Sequence, residues 1–186
     1  MKVRRSKKGC VFTVGHSNRS FEDFRHLLEA FKIQGIADVR RFPSSRKFPH
    51  FNRDKLRQLL EAGGIQYTWI ETLGGFRRTG PDEKSPNVGL KSPAFRNYAD
   101  HMMTEEFRDA VEGLLVLAAK ERTAIMCAER FFWKCHRRLL SDFLTAQGVA
   151  VEHIIEPDYL RRHRLTPGAI ITEQGRVLYQ EPAEVC

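Results

Sequence analysis

The chain has 186 residues, 41% of them hydrophobic, with 31 Lys/Arg against 23 Asp/Glu and a formal net charge of +8. That length suffices for one domain resting on a buried core without disulfide staples. No run of about 18 apolar residues is present to span a membrane, and no apolar stretch follows the basic start as a signal peptide would require, so a cytoplasmic protein without membrane attachment is expected.

Met1 to Gly9 reads as a basic tail, and residues 10–186 as a single α/β domain. Cys10 to Val14 is a short apolar run leading to Gly15-His16-Ser17-Asn18, after which Ser20 caps a helix carrying Phe24, Leu27, Leu28 and Phe31 at helical spacing. Ile36 to Val39 repeats the plan. A basic loop, Arg40 to Phe51, then leads to a helix capped by Asn52, faced by Leu56, Leu59 and Leu60, and closed by Gly63-Gly64. Gln66 to Ile70 is a third strand running into Leu73-Gly74-Gly75, whose glycines read first as a turn. Phe76 to Pro93 lacks periodicity and reads as a long surface loop of the sort that covers sites. Thr104 caps a helix with Phe107, Val111, Leu114, Leu115 and Ala118 inward, and Thr123 to Cys127 is the next buried strand. A helix from about His136 to Gln147 packs through Leu139, Leu140, Phe143 and Leu144, stops at Gly148, and is followed by the strand Val149 to Ile155. Ile170 to Tyr179, interrupted by Glu173-Gln174-Gly175, predicts a C-terminal hairpin.

Alternating strands and helices predict a mostly parallel sheet with helices on both faces. Every loop that follows a strand then falls on one edge. His16, Arg40, Arg41, Gly74, Gly75, Cys127 and Glu129 all lie just past strand ends, where α/β proteins place their sites.

A set of short motifs occurs in order along this frame: Thr13-Val14-Gly15-His16-Ser17, Asp38-Val39-Arg40 with Pro43 and Ser45, Leu73-Gly74-Gly75, Tyr98-Ala99-Asp100, Met126-Cys127-Ala128-Glu129, Trp133, Cys135-His136-Arg137, and His163-Arg164-Leu165-Thr166-Pro167. Together they resemble the bacterial family called domain of unknown function 488, from about Val11 to Ala169. Members of that family are often labelled as DNA repair proteins, so the resemblance implies a link to nucleic acid. Phe131-Phe132 departs from the smaller residues usual there. The layout is also similar to the rhodanese plan, with an Asp-Val-Arg strand end and a later strand ending in Cys. Rhodaneses and Cys-dependent phosphatases close their anion loop with an arginine a few residues past the cysteine, whereas Trp133 stands there in this chain. Sulfur transfer and phosphatase chemistry are therefore disfavoured.

The segment from Cys127 to Arg138 carries the densest chemistry. Glu129, a carboxylate among thiols and guanidiniums, is the foremost functional candidate, as a general base or as the group that orients His136. Cys135, beside Lys134, His136 and Arg137 near a helix start, has the surroundings of an activated thiol; a small packing residue is the competing reading. Cys127 continues its strand and reads as core. His16 is a further catalytic candidate, while Ser17, Asn18 and Ser20 read as a helix-entry turn. Arg40, Arg41 and Arg46, with Lys47 and the serines between them, form an anion clamp that Arg137 joins from the helix. For Arg40 a salt bridge to Asp38 or Glu129 competes strongly with that role. Phe48, Phe131 and Trp133 are loop aromatics placed to stack on a base.

Cys127, Glu129, Cys135 and His136 are residue types that bind zinc. Adjacent ligands at Cys135 and His136 are awkward, however, and no second C-x-x-C or H-x-x-x-H completes a tetrahedral set, so no metal cofactor is expected. The leading expectation is an enzyme acting on a phosphorylated ligand, a nucleotide or nucleic acid. The alternatives are a non-catalytic nucleic-acid-binding module and a zinc- or redox-sensing protein.

Overall fold

The computed structural model describes residues 9–77 and 85–181. Most of the basic tail, Arg78, Cys186 and much of the anticipated covering loop lie outside the described residues. Six strands form one sheet in the order β3-β2-β4-β1-β5-β6. They are β1 (Cys10–Gly15), β2 (Gly35–Asp38), β3 (Gln66–Trp69), β4 (Thr123–Cys127), β5 (Ala150–Glu156) and β6 (Tyr159–Arg162). All neighbouring pairs are parallel except β5 with β6.

The strands' near-continuous apolar character follows from burial on both faces, since successive side chains point to opposite sides. Val11, Val39, Ile125, Cys127 and Val151 share one core with Tyr98, Phe107, Leu139 and Leu140. Their sequence neighbours Phe12, Val14, Ala124, Met126 and Ile154 share the other with Phe24, Leu28, Leu56 and Leu60. Helices α1 (Phe21–Ala30) and α2 (Arg53–Ala62) thus cover one face, and α3 (Pro93–His101), α4 (Glu105–Lys120) and α5 (Arg137–Ala146) the other.

Ser20 and Thr104 cap α1 and α4 as their residue types predict, accepting from Asp23 N and Phe107 N. Asn52 precedes α2 but does not cap it: its Oδ1 takes Ser45 N at 2.6 Å and ties down the basic loop instead. Helix α3 is an element that periodicity did not predict. It opens with Pro93 behind Ser92, a good helix start, but its nine residues are too few for strong periodicity. Strand β6 is likewise absent from the sequence pattern. Its four residues, Tyr-Leu-Arg-Arg, are all exposed on the sheet edge and so carry no buried-face alternation. The C-terminal hairpin is present as β7 (Ala169–Ile171) and β8 (Val177–Tyr179), a separate two-stranded sheet. Among the described residues no helix is long and apolar enough to cross a membrane.

In the sheet's register, Gly15 lies beside Cys127 and Asp38 beside Met126, so β1, β2 and β4 end level with one another. The loops leaving these three strands therefore emerge at one edge.

Candidate functional site

Beyond Cys127 the chain crosses the end of β1 in close contact. His16 N donates to Cys127 O at 3.0 Å and Ser17 N to Ala128 O at 2.9 Å, extending the ladder past the sheet. A Cβ on Gly15 would collide with the Glu129 carbonyl, so this crossing requires glycine. Arg137, 1% exposed, holds the loop from below: its Nη2 donates to the carbonyls of Glu129 and Arg130. A single turn of 3-10 helix, Phe132–Lys134, then returns the chain to the sheet edge at Cys135.

That return sets Cys135 Sγ 3.2 Å from Cys127 Sγ. His136 Nδ1 lies 3.5 Å from Cys135 Sγ and 4.0 Å from Cys127 Sγ. Its Nε2 is 3.1 Å from the Val39 carbonyl. A carbonyl only accepts, so Nε2 carries a hydrogen, and the ring turns its Nδ1 toward the sulfurs. Tyr98 packs edge-on against the imidazole at 5.1 Å and donates its hydroxyl to Leu73 O. Gly75 closes the other side, where a Cβ would collide with the imidazole. The two thiols are driven in opposite directions. The hydrogen bond shared with Cys135, together with burial, pushes Cys127 well up. Burial also pushes Cys135 up, but the hydrogen bond with Cys127, His136 and Arg137 outweigh it and hold that thiol well below its ordinary range.

Cys127, Cys135 and His136 form the floor of a cavity of about 620 Å³. Arg41, Arg77 and Lys134 contribute positive charge to its walls, Glu129 a carboxylate, and Phe42, Phe76 and Phe95 apolar surface. Phe42 and Phe76 are 64% and 55% exposed and stand with ring centroids 5.7 Å apart. Asn97 Oδ1 is buried in the wall with no hydrogen-bond partner among the described residues.

The residues singled out from the sequence occupy distinct positions. Glu129, Cys135, His136 and Arg41 share the cavity. Glu129 is exposed, and its Oε1 accepts from Phe131 N at 3.4 Å. Arg41 pairs with Glu71 at 3.0 Å on the half-open rim. Arg40 touches the cavity wall, but its guanidinium is spent internally. It makes a two-pronged pair with Asp38, donates to Phe51 O at 2.8 Å and approaches His16 Nε2 at 3.3 Å. Tyr67 adds its hydroxyl to the same Asp38 carboxylate. His16 does not line the cavity. It is 3% exposed, stacks on Phe51 at 4.0 Å and gives its Nδ1 hydrogen to Ser17 O. Burial and then Arg40 lower its pKa to about 3, so it stays neutral. Arg137 is a buried strut rather than a rim group, and Arg46 is exposed outside the cavity lining.

A family model for the domain of unknown function DUF488 matches residues 20–144. The chain belongs to the DUF488 family. No curated protein and no solved structure matches it. The match takes in the arginine loop, Gly74-Gly75, α3 and the whole Cys127 to His136 segment, so the cavity floor lies within the DUF488 region.

This DUF488 protein also carries a buried polar chain that sequence pattern does not reveal. Asp142 Oδ1 accepts from His163 Nε2 at 2.8 Å and from Thr166 N at 2.8 Å, while Oδ2 accepts the Tyr179 hydroxyl at 2.8 Å. His163 Nδ1 meets His153 Nε2 at 2.9 Å, and Thr13 Oγ1 meets His153 Nδ1 at 2.7 Å. Arg137 Nη1 donates to Thr13 Oγ1 at 3.4 Å. Every donor can point the same way, from Arg137 to Asp142, with the His153 imidazole neutral. His163 stands in the motif set, yet nothing in spacing marks the rest of this polar chain, whose side chains come from β1, β5, α5 and β8. Arg77 and Lys134 escape notice as site residues for the same reason.

Proposed function

We propose that this protein is an enzyme acting on a small phosphorylated ligand of nucleotide type, with the sulfur and imidazole floor as its reacting centre. One observation carries the reading. The two thiols and the His136 Nδ1 converge at the bottom of a cavity whose walls combine Arg41, Arg77 and Lys134 with the exposed rings of Phe42 and Phe76. Anionic oxygens suit the cations, a planar base suits the rings, and such mixed linings typify ligand sites. The phosphate seat falls to Arg41, Arg77 and Lys134, because Arg40 is already neutralised by Asp38. Glu129 at the mouth is the carboxylate placed to exchange protons with the bound ligand.

The test is protection of Cys127 and Cys135 from alkylation by nucleoside monophosphates, with inorganic phosphate in parallel. Lys134→Ala and Arg41→Ala should each weaken protection roughly tenfold, the order expected for one lost hydrogen bond to a charged group. Equal alkylation with and without millimolar nucleotide would refute the reading.

A nucleic-acid-binding module has one observation in its favour. Phe131 and Trp133 stack at 4.7 Å on the outer surface, with Arg130 over the first ring and Arg161 over the second. That reading requires single-strand binding that weakens steeply with salt and is lost in Trp133→Ala, while the cavity variants leave it intact.

A further inference from the structure

We propose that Cys127, Cys135 and His136 bind one zinc-class divalent ion, leaving its fourth coordination position open to the cavity. The inference deepens the enzyme reading, resting on the cavity as the place of reaction. Among the described residues these are the one group of three His, Cys, Asp or Glu side chains whose ligand atoms lie close enough for this, all within 4.8 Å of one another. Tetrahedral zinc with ordinary Zn–S and Zn–N bonds separates two sulfurs by about 3.8 Å and a sulfur from a nitrogen by about 3.6 Å. The separations found are 3.2 Å for the sulfur pair and 3.5 and 4.0 Å from sulfur to nitrogen. Shifts of a few tenths of an ångström make the set tetrahedral.

Three features set a metal site apart from a mere pair of neighbouring thiols. The imidazole is oriented by the Val39 carbonyl on its far nitrogen, the outer-shell arrangement that fixes tautomer and direction in metal-ligating histidines. A disulfide would need no such histidine. The backbone removes the objection to adjacent ligands: Cys135 is extended, with φ −131 and ψ 153, while His136 is helical, with φ −57 and ψ −21. That switch lets both side chains face Cys127. Lastly, Gly75 offers no Cβ against the imidazole, so the ring can sit with Nδ1 toward the sulfurs.

Two sulfurs and an imidazole nitrogen select a soft or borderline ion over magnesium or calcium, which take oxygen donors. Three protein ligands with a free position facing a cavity is the pattern of reacting rather than structural zinc. When bound, such an ion supplies Lewis acidity to an oxygen of the ligand.

Elemental analysis of the full-length chain, purified without chelator, should find about one zinc per chain, or the chelator-stripped protein should take up one Zn(II) on titration. Co(II) in its place should give a thiolate-to-cobalt charge-transfer band. Cys127→Ala and Cys135→Ala should each abolish stoichiometric binding, and Lys134→Ala should leave it unchanged. A folded wild-type chain that neither carries metal nor binds Zn(II) or Co(II) after reduction overturns the proposal, as does full binding in both cysteine variants. If a cysteine variant fails to fold, the cobalt spectrum of the wild-type chain decides alone. Nucleotide protection that depends on Lys134 in a metal-free protein would sink the ion and spare the cavity reading. Stoichiometric metal without any nucleotide binding would do the reverse.

Discussion

Acid should unfold this protein through its buried histidines, and His153 allows the effect to be sized. The ring is fully buried, lies flat on Phe132 at 3.4 Å, and is bonded to Thr13 and His163. Burial, followed by His163, Arg137 and Arg161, lowers its pKa from 6.5 to about 2. The folded chain therefore keeps this imidazole neutral at pH values where the unfolded chain protonates it. Because the unfolded state binds the extra proton, stability is complete above about pH 6.5 and drains away as the pH falls toward the folded value. Integrating that difference for one such group gives a loss of about 2 kcal/mol between about pH 7 and about pH 5. Urea unfolding at those two pH values, for the wild type and His153→Gln, isolates the contribution. The variant carries no titrating ring there, so its stability should depend on pH less steeply by about 2 kcal/mol over the interval. Whatever His153→Gln costs at neutral pH cancels in this comparison. If the pH dependence of the two proteins agreed within about 0.5 kcal/mol, a difference no larger than an ordinary surface substitution makes, the neutral buried relay would be refuted.

His16, lowered to about 3, should add an acid loss of similar size, visible as a flattening of the same profile in His16→Gln. Asp142→Ala would leave His163, Thr166 N and the Tyr179 hydroxyl without their acceptor, and should cost about 3–5 kcal/mol in urea unfolding. Arg40→Ala should destabilise by about 3–5 kcal/mol, because it strands the buried Asp38 carboxylate, and should leave nucleotide protection of a folded sample within about twofold of wild type. Gly75→Ala forces a methyl group against His136. A loss of about 1–3 kcal/mol and a faster alkylation of the cysteines are expected, both measurable on one preparation.

The strands and the longer helices were legible because local pattern reports burial directly. Val11, Val14, Ile36 and Ile125 announce strands covered on both sides, and Ser20 and Thr104 announce helix starts. The parallel arrangement followed, and with it the gathering of Cys127, His136 and Arg41 at one edge. Helix α3 and strand β6 were not legible, being short and, for β6, wholly exposed. At the site, residue types were visible but their partners were not. Arg40 has the chemistry of an anion clamp, and only the meeting of β2, β3 and the Phe51 turn decides that its charge is consumed by Asp38. His16 has the chemistry of a base, and only its place beneath Phe51 keeps it out of the cavity.

Amino-acid order alone determined the longer helices, the buried strands and which reactive groups emerge past strand ends, since those depend on periodicity within a dozen residues. Tertiary structure decided which of these groups are free and which are already satisfied. It alone set Cys127 against Cys135, turned Nδ1 of His136 toward both through the Val39 carbonyl, and linked Arg137 to Asp142 by way of Thr13, His153 and His163. Charge and hydrogen-bonding capacity belong to a residue, whereas their consumption depends on neighbours supplied by distant parts of the chain.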